Sequence, residues 1–323
     1  MKKSELIDGH IETITNKNLT WVDVMKPNRD KINILAQKYP FHELNLEDCL
    51  SKIQIPKIDK YQDHMFVILH FPTTEKGDNI PRFSQLSIFI GLNYLVTVHQ
   101  GDLKPLTELF RTCINYENQK EAFMDESSGH LLYNIIDTLV DDLFNTLIKV
   151  VGDLHDIEDD VFNPKLAIAK EISLIRREIT ALRRIIIPLR RIIMYITSDI
   201  QKFSEHDLTL YFDNVKDHID MVLEALEESK ETIEIYKDTD YMLSTEKTNK
   251  ILAILTIFFT LSIPSTIIGT LYGMNVNLPG GIETGSWYLF GPYSTFLLLL
   301  IISLTGVLLM AWYFHRLGWI RVK

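Results

Sequence analysis

The chain has 323 residues, of which 46% are hydrophobic and 24% charged, and its formal net charge is −10. Between residues 251 and 314 the only Asp, Glu, Lys or Arg is Glu283, and this apolar length, well beyond the ~20 residues that a helix needs to cross a bilayer, nearly excludes a purely soluble protein. The acidic charge argues against general nucleic-acid binding, and Cys49 and Cys113 are too few for a disulfide framework or a Cys-based zinc site.

The first 125 residues read as a mixed α/β domain on the cytosolic side. Apolar runs predict strands at residues 10–14, 65–71, 86–90 and 94–98. Helical spacing predicts helices at residues 29–38, 44–50 and 104–112.

The hydrophobic period becomes helical after this domain and stays so. Residues 126–204 are predicted to form a helical pair, with one helix ending near Asn163 and Pro164 and another over 166–200. From Asp207 to Leu261 neither Pro nor Gly interrupts the pattern. We therefore predict a stalk helix at 205–250 that continues into the first span, roughly 100 Å of helix in all.

Two membrane spans are predicted, at residues 251–275 and 292–314. An external loop at 276–291 joins them, and a basic tail follows at 315–323. Lys and Arg flank the spans on the outer ends of this pair, and none lies between them. The positive-inside rule therefore predicts a multi-pass protein of the cell membrane with both termini in the cytoplasm.

One face of the first span carries a polar and apolar stripe with steps of three or four residues. Its members are Asn249, Leu252, Leu255, Thr256, Thr260, Ile263, Thr266 and Thr270. Hydroxyls and amides on one face of a span either hold helices together or line water, and the spacing is compatible with both.

Arginine pairs recur every seven residues in the second helix of the pair. They are Arg176 with Arg177, Arg183 with Arg184, and Arg190 with Arg191. This basic edge suits an electrostatic partner, either anionic lipid or the acidic helices of the same protein, but an ordinary solvated helix face has the same pattern.

The sequence contains no pattern that predicts an enzyme. P-loop, dinucleotide-binding, zinc-protease and nucleophile-elbow motifs are missing from it, and its ten histidines are dispersed. No prosthetic group is predicted.

The first span closes with Tyr272, Gly273, Met274 and Asn275, and a short loop with Pro and Gly leads to the second span. This arrangement resembles the CorA family of divalent-cation channels, of the two-transmembrane Gly-Met-Asn type. The resemblance covers nearly the whole chain, including residues 56–61, 93–99, 211–218 and 247–250.

The resemblance implies a funnel-shaped homopentamer in the lipid bilayer, with five first spans around one pore. Gly273, Met274 and Asn275 would form the selectivity filter at the outer mouth. The pore below it would be lined, in descending order, by Thr270, Thr266, Ile263, Leu255, Leu252 and Asn249. Mg²⁺ tends to keep its waters, so neutral oxygens that accept hydrogen bonds suit it. Leu252 and Leu255 would form an apolar constriction that gates by dewetting.

The function that the resemblance implies is Mg²⁺ influx down the electrochemical gradient, with Co²⁺ and Ni²⁺ also carried, gated by intracellular Mg²⁺. Glu283 would attract cations to the outer mouth. Asp213, Asp217 and Asp238 are the candidate ligands of the regulatory ion, since Asn214 replaces an acid found in some members. The alternatives are a zinc transporter of the same superfamily and a non-conducting, membrane-anchored cytosolic sensor.

Overall fold

A computed structural model describes residues 11–51, 54–73, 80–124, 126–163, 166–274 and 293–318. The chain divides into two compact units, Met1–Thr239 and Asp240–Lys323. The strands are β1 Ile11–Asn16, β2 Leu19–Met25, β3 Lys57–Lys60, β4 His64–Thr73, β5 Arg82–Gly91 and β6 Tyr94–His99. The helices are α1 Arg29–Lys38, α2 Glu43–Leu50, α3 Lys104–Asn115, α4 Glu117–Met124, α5 Ser128–Asp156, α6 Glu158–Val161, α7 Ala169–Asp199, α8 Thr209–Tyr272 and α9 Ser294–Arg316.

A six-stranded sheet forms the centre of the first unit, in the order β1-β2-β6-β5-β4-β3. Strands β2 and β6 pair in parallel, and the other neighbours are antiparallel. Successive side chains of a strand point to opposite faces, so the sheet builds two cores. One core packs Phe66, Ile68 and Phe89 against α1 and α2, and the other packs the alternate strand residues against α3, α5 and α7. The predicted α/β domain is confirmed.

Strand β2 escapes prediction from the sequence because Asp23 interrupts an apolar run. In the structure this carboxylate is buried on β2 and has two partners on β6. Thr97 donates to it over 2.5 Å, and the Nε2–H of His99 donates over 3.1 Å, while the other ring nitrogen accepts from the Gly101 amide. Hydrogen bonds thus compensate the desolvation of the buried carboxyl group.

The predicted helical pair is present with different ends. Ser127 caps α5 at its start by accepting from the His130 amide, and α5 ends at Asp156, before the predicted end near Asn163. The short helix α6 occupies part of the difference. The predicted long helix that continues into the first span is present: α8 runs without interruption for 64 residues from Thr209 to Tyr272, and it begins four residues after the predicted start at 205.

Three ion pairs join α7 to the part of α8 within the first unit. Arg176 pairs with Glu234 at 2.9 Å, Arg183 pairs with Glu227 at 2.5 Å, and Arg190 pairs with Asp220. Each step of seven residues forward on α7 matches seven residues back on α8, so the helices run antiparallel. For the first arginine of each pair, the interpretation as a contact with acidic helices of the same chain is confirmed.

Helices α8 and α9 have the length and apolar composition to cross a membrane, and their apolar segments are almost entirely exposed. They contact each other where Gly306 meets Pro264: a Cβ added at Gly306 would lie 3.1 Å from the Pro264 Cβ. The Ser265 and Ser303 hydroxyls are hydrogen-bonded at 2.6 Å nearby. A small residue and a polar contact therefore bring α8 and α9 together, as is usual for helices in lipid.

Candidate cation pathway and cation sites

The stripe predicted for the first span lies on α8 between Asn249 and Thr270. Thr256, Thr260, Ile263 and Thr266 together line one shallow concave strip of this helix. Leu252 and Leu255, nearer the N-terminal end of the stripe, are 54% and 46% exposed in the single chain. Apolar side chains exposed to this extent need lipid or further protein to cover them.

The threonine hydroxyls of the stripe have a defined hydrogen-bond polarity. Thr260, Thr266 and Thr270 each donate to the carbonyl four residues earlier, at 2.7, 2.9 and 2.7 Å respectively. The single hydroxyl proton is then committed to the helix, so the oxygen's lone pairs are left to accept. Water molecules around a cation point their hydrogens outward, and the threonine oxygens can accept hydrogen bonds from them.

The helix ends in a tight turn at Gly273 and Met274, the first two residues of the predicted filter. The amide of Gly273 donates to the Gly269 carbonyl at 3.0 Å, and that of Met274 donates to the Leu271 carbonyl at 3.3 Å. A Cβ at position 273 would lie 3.1 Å from the Gly269 oxygen, so a side chain there would crowd this last turn. Asn275 and Glu283 lie outside the described residues.

The three predicted regulatory aspartates are exposed on α8 and do not form one site. Asp217 lies 3.2 Å from the Lys216 ammonium, and Asp238 lies 3.6 Å from that of Lys237. At 1.5 Å per residue, about 32 Å of helix separates Asp217 from Asp238, so no single ion contacts both. Asp213 is one turn from Asp217 and could share an ion with it.

The structure brings together a candidate cation-binding group that the sequence does not reveal. Asp137 and Asp141 on α5 and His218 on α8 offer ligand atoms that all lie within 4.8 Å of one another. The Nδ1 of His218 is 3.4 Å from an oxygen of Asp141. The only signal in the sequence is the four-residue spacing of the aspartates, which places both on one helix face.

The electrostatics of this group favour a cation. Burial raises the pKa of the Asp137 carboxyl above its ordinary value, and the Asp141 carboxylate raises it further. One oxygen of Asp137 and the Nδ1 of His218 are buried without a hydrogen-bond partner in the described structure. A divalent ion would relieve the repulsion between the carboxylates. Two carboxylates suit Mg²⁺, whereas the imidazole suits Co²⁺, Ni²⁺ or Zn²⁺ better.

These features define a class of protein: a membrane protein in which an α/β domain and long helices precede two span-length helices, the first with a hydrogen-bond-accepting face. Residues 16–316 match the family described as CorA-like Mg2+ transporter protein. The chain belongs to this family, and the resemblance drawn from the Gly-Met-Asn segment is confirmed.

Similar proteins carry the names of both cation branches. The cobalt/magnesium transport protein CorA of Thermotoga maritima is 26% identical over 258 residues, which cover 79% of this chain and 73% of that protein. The zinc transport protein ZntB of Pectobacterium carotovorum subsp. carotovorum is 24% identical over 270 residues, covering 82% and 77%. The CorA magnesium transporter of Methanocaldococcus jannaschii superposes with a TM-score of 0.77 at 20% identity over 98% of this chain and 97% of that one, which shows the shared fold.

Proposed function

We propose that this protein is a passive transporter of divalent cations in the cell membrane, with Mg²⁺ as its main substrate and Co²⁺ and Ni²⁺ as further substrates. It works as a homopentamer with both termini in the cytoplasm. The observation that carries the proposal is that the Thr266 and Thr270 hydroxyls donate to helix carbonyls, which leaves their oxygens available as acceptors on the helix that leads to Gly273 and Met274. Membership of the family and the names of its relatives support it.

The ion passes through the pathway with its hydration shell. Mg²⁺ is reluctant to lose water, so rings of neutral oxygens from Asn275, Thr270 and Thr266 accept hydrogen bonds from its hydration shell. Glu283 raises the local cation concentration at the outer mouth. Leu252 and Leu255 close the pathway when the space between the copies is too narrow and apolar to hold water.

The membrane potential drives the ion inward. Moving one elementary charge across 100 mV is worth about 2.3 kcal/mol, so a divalent ion gains about 4.6 kcal/mol. This drive needs no chemical energy source.

The zinc alternative rests on the likeness to ZntB. Zn²⁺ favours imidazole and thiolate ligands, and α8 carries neither Cys nor His between Asp240 and Tyr272. The described part of the pathway thus favours an ion that is handled by oxygen. The flux experiment also tests the remaining alternative, a membrane-anchored sensor that conducts no ion.

The experiment reconstitutes the purified protein in liposomes and measures uptake of Mg²⁺, Co²⁺, Ni²⁺ and Zn²⁺ at an imposed, inside-negative potential. We expect Mg²⁺ uptake well above that of protein-free liposomes and dependent on the potential. Uptake of Zn²⁺ alone would establish the zinc alternative, and uptake of none of the four ions by correctly inserted protein would establish the sensor.

We also propose that intracellular Mg²⁺ holds the transporter closed. Residues 1–250 carry a net charge of −12, so five copies carry −60, and this repulsion weakens when cations bind. Asp217, with Asp213 one turn away, and Asp238 supply the sites between copies. Loss of Mg²⁺ then moves the copies apart, and the continuous helix α8 links that movement to Leu255.

The regulatory proposal predicts that Asp217→Asn with Asp238→Asn uncouples closure from Mg²⁺. We expect the double variant to lose protection from protease at millimolar Mg²⁺ and to keep transporting at concentrations that close the wild type. Asp159→Asn, at an exposed acid beyond α5, is the matched control and should behave as the wild type. Wild-type protection and closure in the double variant would contradict the assignment.

A further inference from the structure

Three arginines on α7 take no part in the ion pairs with α8. Arg177, Arg184 and Arg191 follow the paired arginines by one residue each and are exposed. None of them has an ion-pair partner among the residues that the structure describes. They form a charged row at seven-residue spacing, which we call the arginine row.

Helix α8 carries a matching row of acids at the same spacing, which we call the acidic row. Its members Asp217, Glu224, Glu231 and Asp238 are all exposed. Glu224 and Glu231 have no ion-pair partner within the described ranges, and Asp217 and Asp238 contact only the adjacent lysines. A helix that repeats every seven residues drifts by only about 20° per repeat, so each row stays on one side of its helix.

The two rows match in register. In the ion pairs within the chain, seven residues forward on α7 correspond to seven residues back on α8. An alignment in the same antiparallel direction, shifted by two residues (about 3 Å of helix) from the register within the chain, sets Arg177 opposite Glu231 and Arg184 opposite Glu224. Between the charges it sets Ile187 opposite Met221, which are 50% and 57% exposed. Both charge and apolar positions therefore coincide at one register.

We propose that Arg177 and Arg184 of one copy bind Glu231 and Glu224 of the next copy, so that neighbouring copies are joined by a charge zipper of the kind already present within each chain. Asp217 and Asp238, at the two ends of the acidic row, stay with the regulatory cation. A second copy is the partner because its acidic row repeats at the same seven-residue spacing as the arginine row. An anionic lipid surface would attract the arginine row but repel the acidic row beside it. Partial desolvation between two helices strengthens such pairs relative to exposed ones.

Each copy presents its arginine row to one neighbour and its acidic row to the other, so the contact is heterologous, or head to tail. Contacts of this type close into rings when the rotation between copies is right. Rotation about an axis along the helices leaves α7 of one copy antiparallel to α8 of the next, as the zipper requires. The inference rests on the proposed homopentamer and specifies which residues join its subunits.

The test reverses charge on one row at a time, in the full-length protein in detergent. One variant carries Arg177→Glu with Arg184→Glu, a second carries Glu224→Arg with Glu231→Arg, and a third carries all four changes. Asp217 is left intact because the regulatory proposal uses it. Native mass spectrometry measures the fraction of assembled protein on dilution.

We expect each one-sided variant to dissociate at about tenfold higher concentration than the wild type, because like charges then face each other. The four-change variant should recover most of the wild-type assembly. Glu108→Arg with Arg111→Glu, an exposed pair on α3, is the matched control and should have no effect. Unchanged assembly in both one-sided variants, or no recovery in the four-change variant, overturns the proposal.

A cross-link provides a measurement that does not depend on charge. In the variant with Arg184→Cys and Glu224→Cys, a short thiol cross-linker should produce a ladder of covalent multimers, since Cys49 and Cys113 are buried. If this variant remains monomeric after treatment with the cross-linker, the proposal is overturned. Cation uptake by wild-type liposomes is measured separately, so a protein that conducts without the ladder refutes the zipper alone, and one with the ladder but no uptake refutes only the transport function.

Discussion

Replacing Asn275 by alanine is expected to lower Mg²⁺ uptake in liposomes by more than about tenfold while the protein still assembles. In the proposed pentamer five amide oxygens at the outer mouth accept hydrogen bonds from the waters of the ion, and a methyl group accepts none. Because Mg²⁺ keeps its hydration shell, loss of these acceptors leaves the hydrated ion without compensation as it enters the narrow pathway. Uptake is measured at fixed potential, and assembly by native mass spectrometry.

The control for the filter prediction is Asn214→Ala, which removes an exposed amide from α8 outside the proposed pathway. It should leave uptake unchanged. Near-normal uptake by an assembled Asn275→Ala protein would show that the selectivity ring lies elsewhere.

Leu255→Ser is expected to leave the transporter open when Mg²⁺ is abundant, raising uptake under closing conditions by about tenfold. Five leucine side chains around a narrow passage exclude water from it. A smaller side chain with a hydroxyl group widens the passage and lets water enter, which lowers the barrier to a hydrated ion. The position is 46% exposed in the single chain, so the substitution disturbs no core of the described structure. The measurement is ion flux or current at millimolar intracellular Mg²⁺.

The neighbouring Ile254→Ser serves as the matched control for the gate. Its side chain is 66% exposed and points about 100° around the helix from Leu255, away from the proposed pathway. It should close as the wild type does. If Leu255→Ser closes equally well, the constriction is formed by other residues.

The elements that follow from local pattern were the ones that the sequence predicted well. In the first helix of the predicted pair, Leu131, Ile135, Leu139 and Leu143 recur every four residues, and all four are buried on α5. Strand β2 and helix α4 were missed for two different reasons. The buried carboxyl group of Asp23 is hydrogen-bonded to Thr97 and His99, more than seventy residues away in sequence, while α4 buries only Met124 and so lacks an apolar period.

The candidate site also has one part that the sequence predicts and one part that only the structure reveals. The acceptor stripe of the first span follows from helical spacing, because a single helix fixes the relative directions of its own side chains. The group of Asp137, Asp141 and His218 does not, since it depends on how α5 packs against α8. The resemblance named Asp217 and Asp238 as candidate ligands of the regulatory ion, and the rise of the helix places them about 32 Å apart, too far to contact one ion.

The sequence by itself determined that the protein carries two span-length apolar helices, that one of them extends far beyond the apolar segment, and that the chain belongs to its family. These properties depend on composition, on period and on a local motif. Only the tertiary structure decided which arginine of each pair contacts an acid of the same chain and which stays exposed. Adjacent residues on a helix differ by about 100° in direction, so two identical side chains acquire different partners once the helix is packed.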